Sequence, residues 1–264
     1  MSPSLGRLRE FYVCASKLGT TPRQRGTIFW RLTKNFRARL GLSRYHPDVV
    51  YPLATALGIV FLRDNFGDVT NLYDLLVENV YCFLPEMGGV VLDVGANIGL
   101  FAAWVERTAP GSQIHCFEPL AGNTRLIPMN CPSAVVNCCA VGRERKTLEL
   151  QVDGQGIMAS AISTPWSTTG QGFSVIPLDE YTRDRGIHAV SFMKVDTEGM
   201  ELEVFEGGRE TLRRTTRVSV ETHGDERHRG VLALLRDGGF RIDQESFGGK
   251  TGLVIASRSA PRPS

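Results

Sequence analysis

The 264-residue chain is 42% hydrophobic and 22% charged, with a net charge of +2. Those values are ordinary for a globular protein, and the length suffices for a full α/β core plus an extension. They exclude a disordered chain, and no apolar run approaches a membrane span.

The net charge hides an asymmetry. Residues 1–47 carry ten cations (Arg7, Arg9, Lys17, Arg23, Arg25, Arg31, Lys34, Arg37, Arg39, Arg44) against one acid, Glu10, a balance of +9. Leu5, Leu8, Phe11, Ala15 and Leu18 recur at helical spacing, as do Ile28, Leu32, Phe36 and Leu40; each stretch predicts an amphipathic helix. The arm reads first as a helical cap with a solvated basic face. The same composition suits an organellar targeting peptide, or a surface for an anionic substrate, a carrier protein or a membrane. Nucleic acid is not expected, because no aromatic-rich recognition motif accompanies the charge.

Beyond the arm, residues 49–55 and 59–63 predict short strands around Gly58, and 69–79 a helix. The most informative stretch follows. The apolar run Val90–Val94 holds Asp93, and a loop with Gly95 and Gly99 then opens a helical pattern through Leu100, Phe101, Trp104 and Val105. A strand, a tight turn and a helix start form the nucleotide-cofactor corner of a doubly wound sheet. A dinucleotide pyrophosphate favours bare N–H groups there, and a carboxylate would repel it. S-adenosylmethionine carries no phosphate but does carry an ammonium and a sulfonium, which Asp93 could attract. The loop is also Gly-x-x-x-Gly rather than Gly-x-Gly-x-x-Gly, so a methyl donor is favoured over NAD.

Residues 113–117 predict the next strand, with Glu118 at its end, 19 residues after Gly99. Such folds place an acid there on the ribose diol. A helix over 122–130 and a strand over 134–140 continue the alternation of parallel βαβ units. Between 146 and 177 two extended runs flank a Gly/Ser/Thr-rich stretch, read as a β insertion at the mouth of the site. A short helix over 178–185, a strand over 189–195, a helix over 201–214, a strand over 217–221 and a helix over 226–236 then follow. Residues 240–244 and 252–257 should close the sheet as an antiparallel hairpin.

The expected fold is therefore α/β: a Rossmann-like, doubly wound, mostly parallel sheet with a C-terminal antiparallel hairpin and an N-terminal helical extension. Its expected parts are 1–47 as extension, 48–257 as catalytic domain and 258–264 as a disordered tail. The six cysteines form no Cys-x-x-Cys pair, which suits reduced thiols and a cytoplasmic location. Cys138 and Cys139 should point to opposite faces of a strand.

Ligands of open α/β sheets bind beyond the carboxyl ends of the strands. Asp93, the run Lys194-Val-Asp196-Thr-Glu198-Gly199, and Glu221-Thr-His223 all fall there. Methyl transfer to oxygen needs a proton acceptor. His223 is the first candidate, since an unperturbed imidazole titrates near neutrality, with Glu221 or Asp196 orienting it. Lys194 would pair with an acid or hold the acceptor. Asp196, Glu198, Glu221 and His223 are also hard-ligand types that suit Mg²⁺, but no tight ligand spacing selects a metal, and none is predicted.

The blocks Leu92-Asp-Val-Gly-Ala-Asn-Ile-Gly99, Phe117-Glu-Pro119, Pro177-Leu-Asp-Glu180, Met193-Lys-Val-Asp-Thr-Glu-Gly199 with Glu201, and Val220-Glu-Thr-His223 resemble the FkbM-type methyltransferases. The glycine loop is shared across class I methyltransferases; the Lys-x-Asp-x-Glu-Gly block makes the likeness specific. The resemblance implies S-adenosylmethionine as donor, with Asp93, Gly95, Asn97, Gly99 and Glu118 lining its site. It also implies O-methylation of a hydroxyl on a sugar, polyketide or peptide product, with Asp196, Glu198, Glu221 and His223 around the acceptor. Two other readings compete: an NAD-dependent oxidoreductase on the same sheet, and a non-catalytic adaptor binding through the basic arm.

Overall fold

The two N-terminal apolar stripes do what their spacing predicts. In the computed structural model, which describes residues 3–39, 42, 46–55, 57–78, 88–153, 159–160 and 167–259, they lie on α1 (Pro3–Leu18) and α2 (Pro22–Arg39), except Leu40, which falls outside the described residues. Phe11, Cys14, Ala15, Leu18, Ile28 and Leu32 are buried, and the Phe11 and Phe36 rings meet edge-on at 5.8 Å. Leu8, placed on the stripe by its spacing, is instead exposed. A reciprocal cap starts α2: the Thr21 hydroxyl accepts from Gln24 N at 3.3 Å, and Gln24 Oε1 accepts from Thr21 N at 3.0 Å.

An antiparallel hairpin, β1 (His46–Thr55) and β2 (Gly58–Asp64), leads to α3 (Phe66–Tyr73), capped by the Asn65 side chain accepting from Asp68 N. Asp64 at the end of β2 pairs with Arg31 and Lys34, so two cations of the basic arm are matched internally. The chain divides into two compact units, Met1–Cys82 and Phe83–Ser264. The hairpin and α3, which the sequence reading assigns to the catalytic domain, thus belong with the N-terminal helices.

The second unit carries the central sheet. Its elements in order are β3 (Val90–Val94), α4 (Leu100–Thr108), β4 (Gln113–Phe117), α5 (Ala121–Thr124), α6 (Ile127–Asn130), β5 (Val135–Asn137), β6 (Ala140–Val141), β7 (Lys146–Asp153), β8 (Ala159–Ser160) and β9 (Ser167–Ile176). There follow α7 (Leu178–Asp184), β10 (Val190–Val195), α8 (Glu201–Glu206), α9 (Arg209–Arg213), β11 (Thr215–His223), α10 (Asp225–Asp237), β12 (Arg241–Phe247) and β13 (Thr251–Ser257). Seven strands pair in the order β12-β13-β11-β10-β3-β4-β5. From β11 to β5 the pairs are parallel, and β13 and β12 close the sheet antiparallel, as expected.

The chain builds outward from β3 to β5 and then returns to lay β10 on the other side of β3. That reversal opens a crevice at the carboxyl ends of β3 and β10. Every residue of β10 is buried, because the strand is covered on both faces.

The helix expected over 122–130 is two short helices, α5 and α6, with Pro128 in the first turn of the second, and further elements also differ from the sequence expectation. The helix expected over 201–214 breaks into α8 and α9 at Gly207-Gly208; a Cβ on Gly207 would stand 2.0 Å from the Gly142 carbonyl oxygen, so another segment's backbone passes there. The strand expected over 134–140 stops at Asn137, and β6 joins a separate sheet of order β6-β9-β7-β8 built from the predicted insertion. Cys138 and Cys139 accordingly lie between strands, one exposed and one buried, rather than on opposite faces of one strand. Finally, β11 extends to His223, which places that residue on a strand and not in a loop. Residues 154–158 and 161–166 of the insertion, and 260–264 of the expected tail, lie outside the described residues.

Candidate active site

The turn after β3 is tied down from two sides. Gly95 N and Ala96 N both donate to Phe117 O, at 2.9 and 3.0 Å, fixing the turn to the end of β4. On the other side Asp196 N donates to Val94 O at 3.0 Å. Gly95 has φ +80°, and a Cβ there would stand 1.7 Å from the Asp196 carbonyl oxygen. A close approach that requires this glycine is therefore with the exit of β10. Asn97, at φ +48°, is the second left-handed residue of the turn.

Glu118 braces this turn. Its carboxylate accepts from Asn97 N at 2.9 Å on one oxygen, and from Leu120 N at 2.9 Å and Asn123 Nδ2 at 3.2 Å on the other. Burial raises its pKa, and these donors pull it back. A carboxylate has about four acceptor positions. Among the described residues, the oxygen facing Asn97 takes one donor and keeps one acceptor position.

Asp93 departs furthest from the sequence reading. It is fully buried, and the Lys194 ammonium stands 3.2 Å from Oδ1. Burial raises its pKa, and Lys194 opposes the rise. Its carboxylate is thus enclosed and matched by a cation, an arrangement that its strand position alone did not give. Lys194, itself 5% exposed, donates to Gly95 O at 2.8 Å and approaches Asp196 Oδ2 at 3.6 Å. Its head is thus a strut joining the glycine turn to the acids beyond β10.

Those acids form the second half of the site. Asp196 and Glu198 follow β10, while Glu221 and His223 end β11, which pairs with β10 in register Lys194↔Ser219 and Val195↔Val220. Adjacent strands therefore bring together residues far apart in sequence. His223 Nδ1 lies 2.9 Å from Glu201 Oε1, and its Nε2 lies 3.3 Å from Glu198 Oε2 and 4.0 Å from Glu221 Oε1. Glu198 reaches the ring from a left-handed backbone, φ +53°. Glu201, 0% exposed at the start of α8, is a residue that chemical reasoning on the sequence passed over. Its signal was a Glu directly opening a helix after the Glu198-Gly-Met turn.

The cluster shifts its own titrations. Burial alone would lower the His223 pKa, but its hydrogen bond to Glu201 and the charges of Glu198, Glu201 and Asp196 outweigh that and raise it to about 9. Burial and the Asp196 charge push Glu221 up to about 7, against the pull of His223. At neutral pH this favours the protonated imidazole over the neutral base expected from the residue type. Asp196, Glu221 and His223 also bring one potential ligand atom each within 4.8 Å of the others. Such exposed acidic groups are common without an ion, and the chemistry below does not depend on one.

With this geometry in place, likeness to known proteins becomes informative. Residues 93–242, more than half of the chain, match the family described as Methyltransferase FkbM domain. The chain belongs to this family of S-adenosylmethionine-dependent methyltransferases. The NAD-dependent and adaptor readings fall with that result. The 31-O-demethyl-FK506 methyltransferase FkbM of Streptomyces tacrolimicus is 29% identical over 256 residues, covering 80% of this chain and 98% of that protein. A 71-residue stretch is 39% identical to the AMB antimetabolite synthetase AmbE of Pseudomonas aeruginosa, covering 25% of this chain and 3% of that protein. Among solved structures, Aeropyrum pernix fibrillarin with bound S-adenosyl-L-methionine superposes with a TM-score of 0.46 at 12% identity, over 81% of this chain and 84% of that one. A putative tRNA (m1A22) methyltransferase from Streptococcus pneumoniae gives 0.44 at 17% identity, over 71% of each chain. No helix among the described residues is long and apolar enough to cross a membrane.

Proposed function

We propose that this FkbM-family enzyme methylates a hydroxyl oxygen of a small-molecule acceptor such as a sugar, polyketide or peptide product. The observation that carries the reading is the carboxylate–imidazole cluster beyond β10 and β11, linked through Lys194 to the glycine turn of β3. A hydroxyl must lose its proton to become a good methyl acceptor, and the cluster offers a group for that purpose. The relative from S. tacrolimicus is named for 31-O-demethyl-FK506, and the chain matches nearly its whole length.

S-adenosylmethionine supplies an electrophilic methyl group on a positively charged sulfur. The residues around the turn suit such a donor. Asn97 and Gly99 shape the backbone beneath it, and Glu118 retains an acceptor position for the ribose. Asp93 serves it indirectly, by fixing Lys194 and through it the Gly95 carbonyl.

For proton removal the roles expected from the sequence exchange. A general base works best with a pKa near the working pH. Glu221, at about 7 and 47% exposed, meets that condition; His223, at about 9, does not. Glu221 takes the acceptor proton as the oxygen–methyl bond forms, and the His223 imidazolium steadies the acids around it. Positioning of the acceptor supplies the rest of the acceleration.

The basic balance of residues 1–47 fits an anionic or carrier-bound acceptor. The free cysteines Cys14, Cys116, Cys131, Cys138 and Cys139 fit a cytoplasmic location. The reading is tested by supplying methyl-labelled donor with a panel of hydroxylated compounds and their amine analogues. Label should enter an ether oxygen of a hydroxylated member. Transfer only to amines, or to RNA, would overturn the proposal.

A further inference from the structure

We infer that Glu201 is a positioning residue for the transfer, holding the His223 ring so that Nε2, not Nδ1, faces Glu198 and Glu221. The inference rests on the hydroxyl-methylation reading above. It adds a residue whose side chain lies behind the imidazole, on the side away from those acids.

Glu201 is fully buried, yet its carboxylate is only partly satisfied. Oε1 accepts from Gly199 N at 2.8 Å and lies 2.9 Å from His223 Nδ1 and 3.5 Å from Thr197 Oγ1. Oε2 is buried with no hydrogen bond among the described residues. Enclosing a carboxylate this way costs stability unless a charge answers it. The nearest cation to Oε1 is the imidazolium itself. An acid placed merely to start α8 would face water and gain from the helix end; this one is turned inward onto a ring nitrogen.

The consequence is a fixed tautomer. A carboxylate at Nδ1 requires the proton to stay there, so Nε2 is the nitrogen that exchanges a proton with groups on the open side. Those groups are Glu198 at 3.3 Å and Glu221 at 4.0 Å. Asp196 contributes negative charge to the same ring, and Lys194 offsets part of the charge on Glu198 and Glu221. In the reaction the acceptor O–H bond breaks and its proton goes to a Glu221 carboxylate oxygen; the oxygen's electron pair forms the bond to the methyl carbon as the carbon–sulfur bond breaks, its pair returning to sulfur to leave S-adenosylhomocysteine. Glu201 touches none of these atoms; it acts through His223, which keeps the Glu221 carboxylate charged and aimed.

The test is a double-variant cycle on the full chain, using whichever hydroxylated acceptor the panel above identifies. Glu201→Gln keeps an oxygen for Gly199 N and removes the charge. It should lower kcat by roughly tenfold or more, since a base contributes about 10²–10⁴-fold. It should move the acid limb of the kcat–pH profile to higher pH, because a neutral imidazole no longer pulls the Glu221 pKa down. S-adenosylhomocysteine affinity should be unchanged. In a His223→Gln background, Glu201→Gln should have no further effect. Additive losses, or an unmoved profile, would show a structural role only and overturn the inference.

A second measurement covers a variant that fails to fold. In wild-type protein with ¹⁵N-labelled histidine, His223 should keep its Nδ1 proton and lose the Nε2 proton first as pH rises. The opposite tautomer would refute the assignment. Absence of transfer to every hydroxyl by the wild type would instead sink the functional reading, leaving the tautomer result to stand separately.

Discussion

The turn after β3 and the acids beyond β10 and β11 face one crevice but are built on opposite principles. The turn is closed upon itself. Asp93 is wholly buried beside Lys194, Glu118 is occupied by Asn97, Leu120 and Asn123, and Gly95 lies against the Asp196 carbonyl. The acid cluster is open and electrostatically unsettled, with Glu221 half-exposed and its proton affinity displaced toward neutrality. A closed turn, its carboxylates already engaged, suits a seat that holds a donor in place. Open, displaced carboxylates suit proton transfer, where a group must change charge in each cycle.

That contrast can be broken at either end. The largest effect is expected from Gly95→Ala, because the new Cβ would meet the Asp196 backbone at 1.7 Å in a left-handed conformation that L side chains avoid. Loss of S-adenosylhomocysteine binding together with a clear fall in melting temperature should result. Normal binding by calorimetry would mean the turn is softer than described. Next comes Glu118→Ala, which removes the carboxylate that accepts from Asn97 N and Leu120 N, each such loss costing about 1–3 kcal/mol. Donor affinity should fall at least tenfold.

Glu221→Gln probes the other side. Turnover should drop on the order of a hundredfold, as for loss of a general base, while donor affinity stays within about twofold. The pH profile sharpens the same point. Glu221, raised to about 7, is active only when deprotonated, so kcat should climb as pH rises through that region. His223, raised to about 9, works as the cation, so kcat should decline above that value. These limbs belong to interacting groups and are read as properties of the cluster. The smallest effect is expected from chelation: EDTA should leave kcat within about twofold if Glu221 and not a metal-bound hydroxyl removes the proton. A collapse of activity restored by Mg²⁺ would replace the base mechanism.

Much of the fold was readable because its signals are local. Val90–Val94, Gln113–Phe117 and Val190–Val195 are short, mostly apolar runs, and each is a strand at or within one residue of its expected limits. The break at Gly207 was not readable, since the backbone that passes there belongs to Gly142, far away in sequence. The same limit governs the site. Strand-end positions marked Asp93, Glu118, Asp196, Glu221 and His223, because periodicity fixes where strands stop. What each residue does depends on partners across strands. Lys194 gives buried Asp93 a cation partner, and Glu201 at Nδ1 helps raise the His223 pKa. Neither partner is identifiable from spacing alone, although both sit within the one block that made the family likeness specific.

The division of labour between the two regions is tested most directly by comparing Glu118→Ala and Glu221→Gln in paired S-adenosylhomocysteine calorimetry and single-turnover methyl transfer. The account predicts weakened binding for the first, and intact binding with slowed transfer for the second. Intact binding in Glu118→Ala, or unchanged transfer in Glu221→Gln, would contradict it.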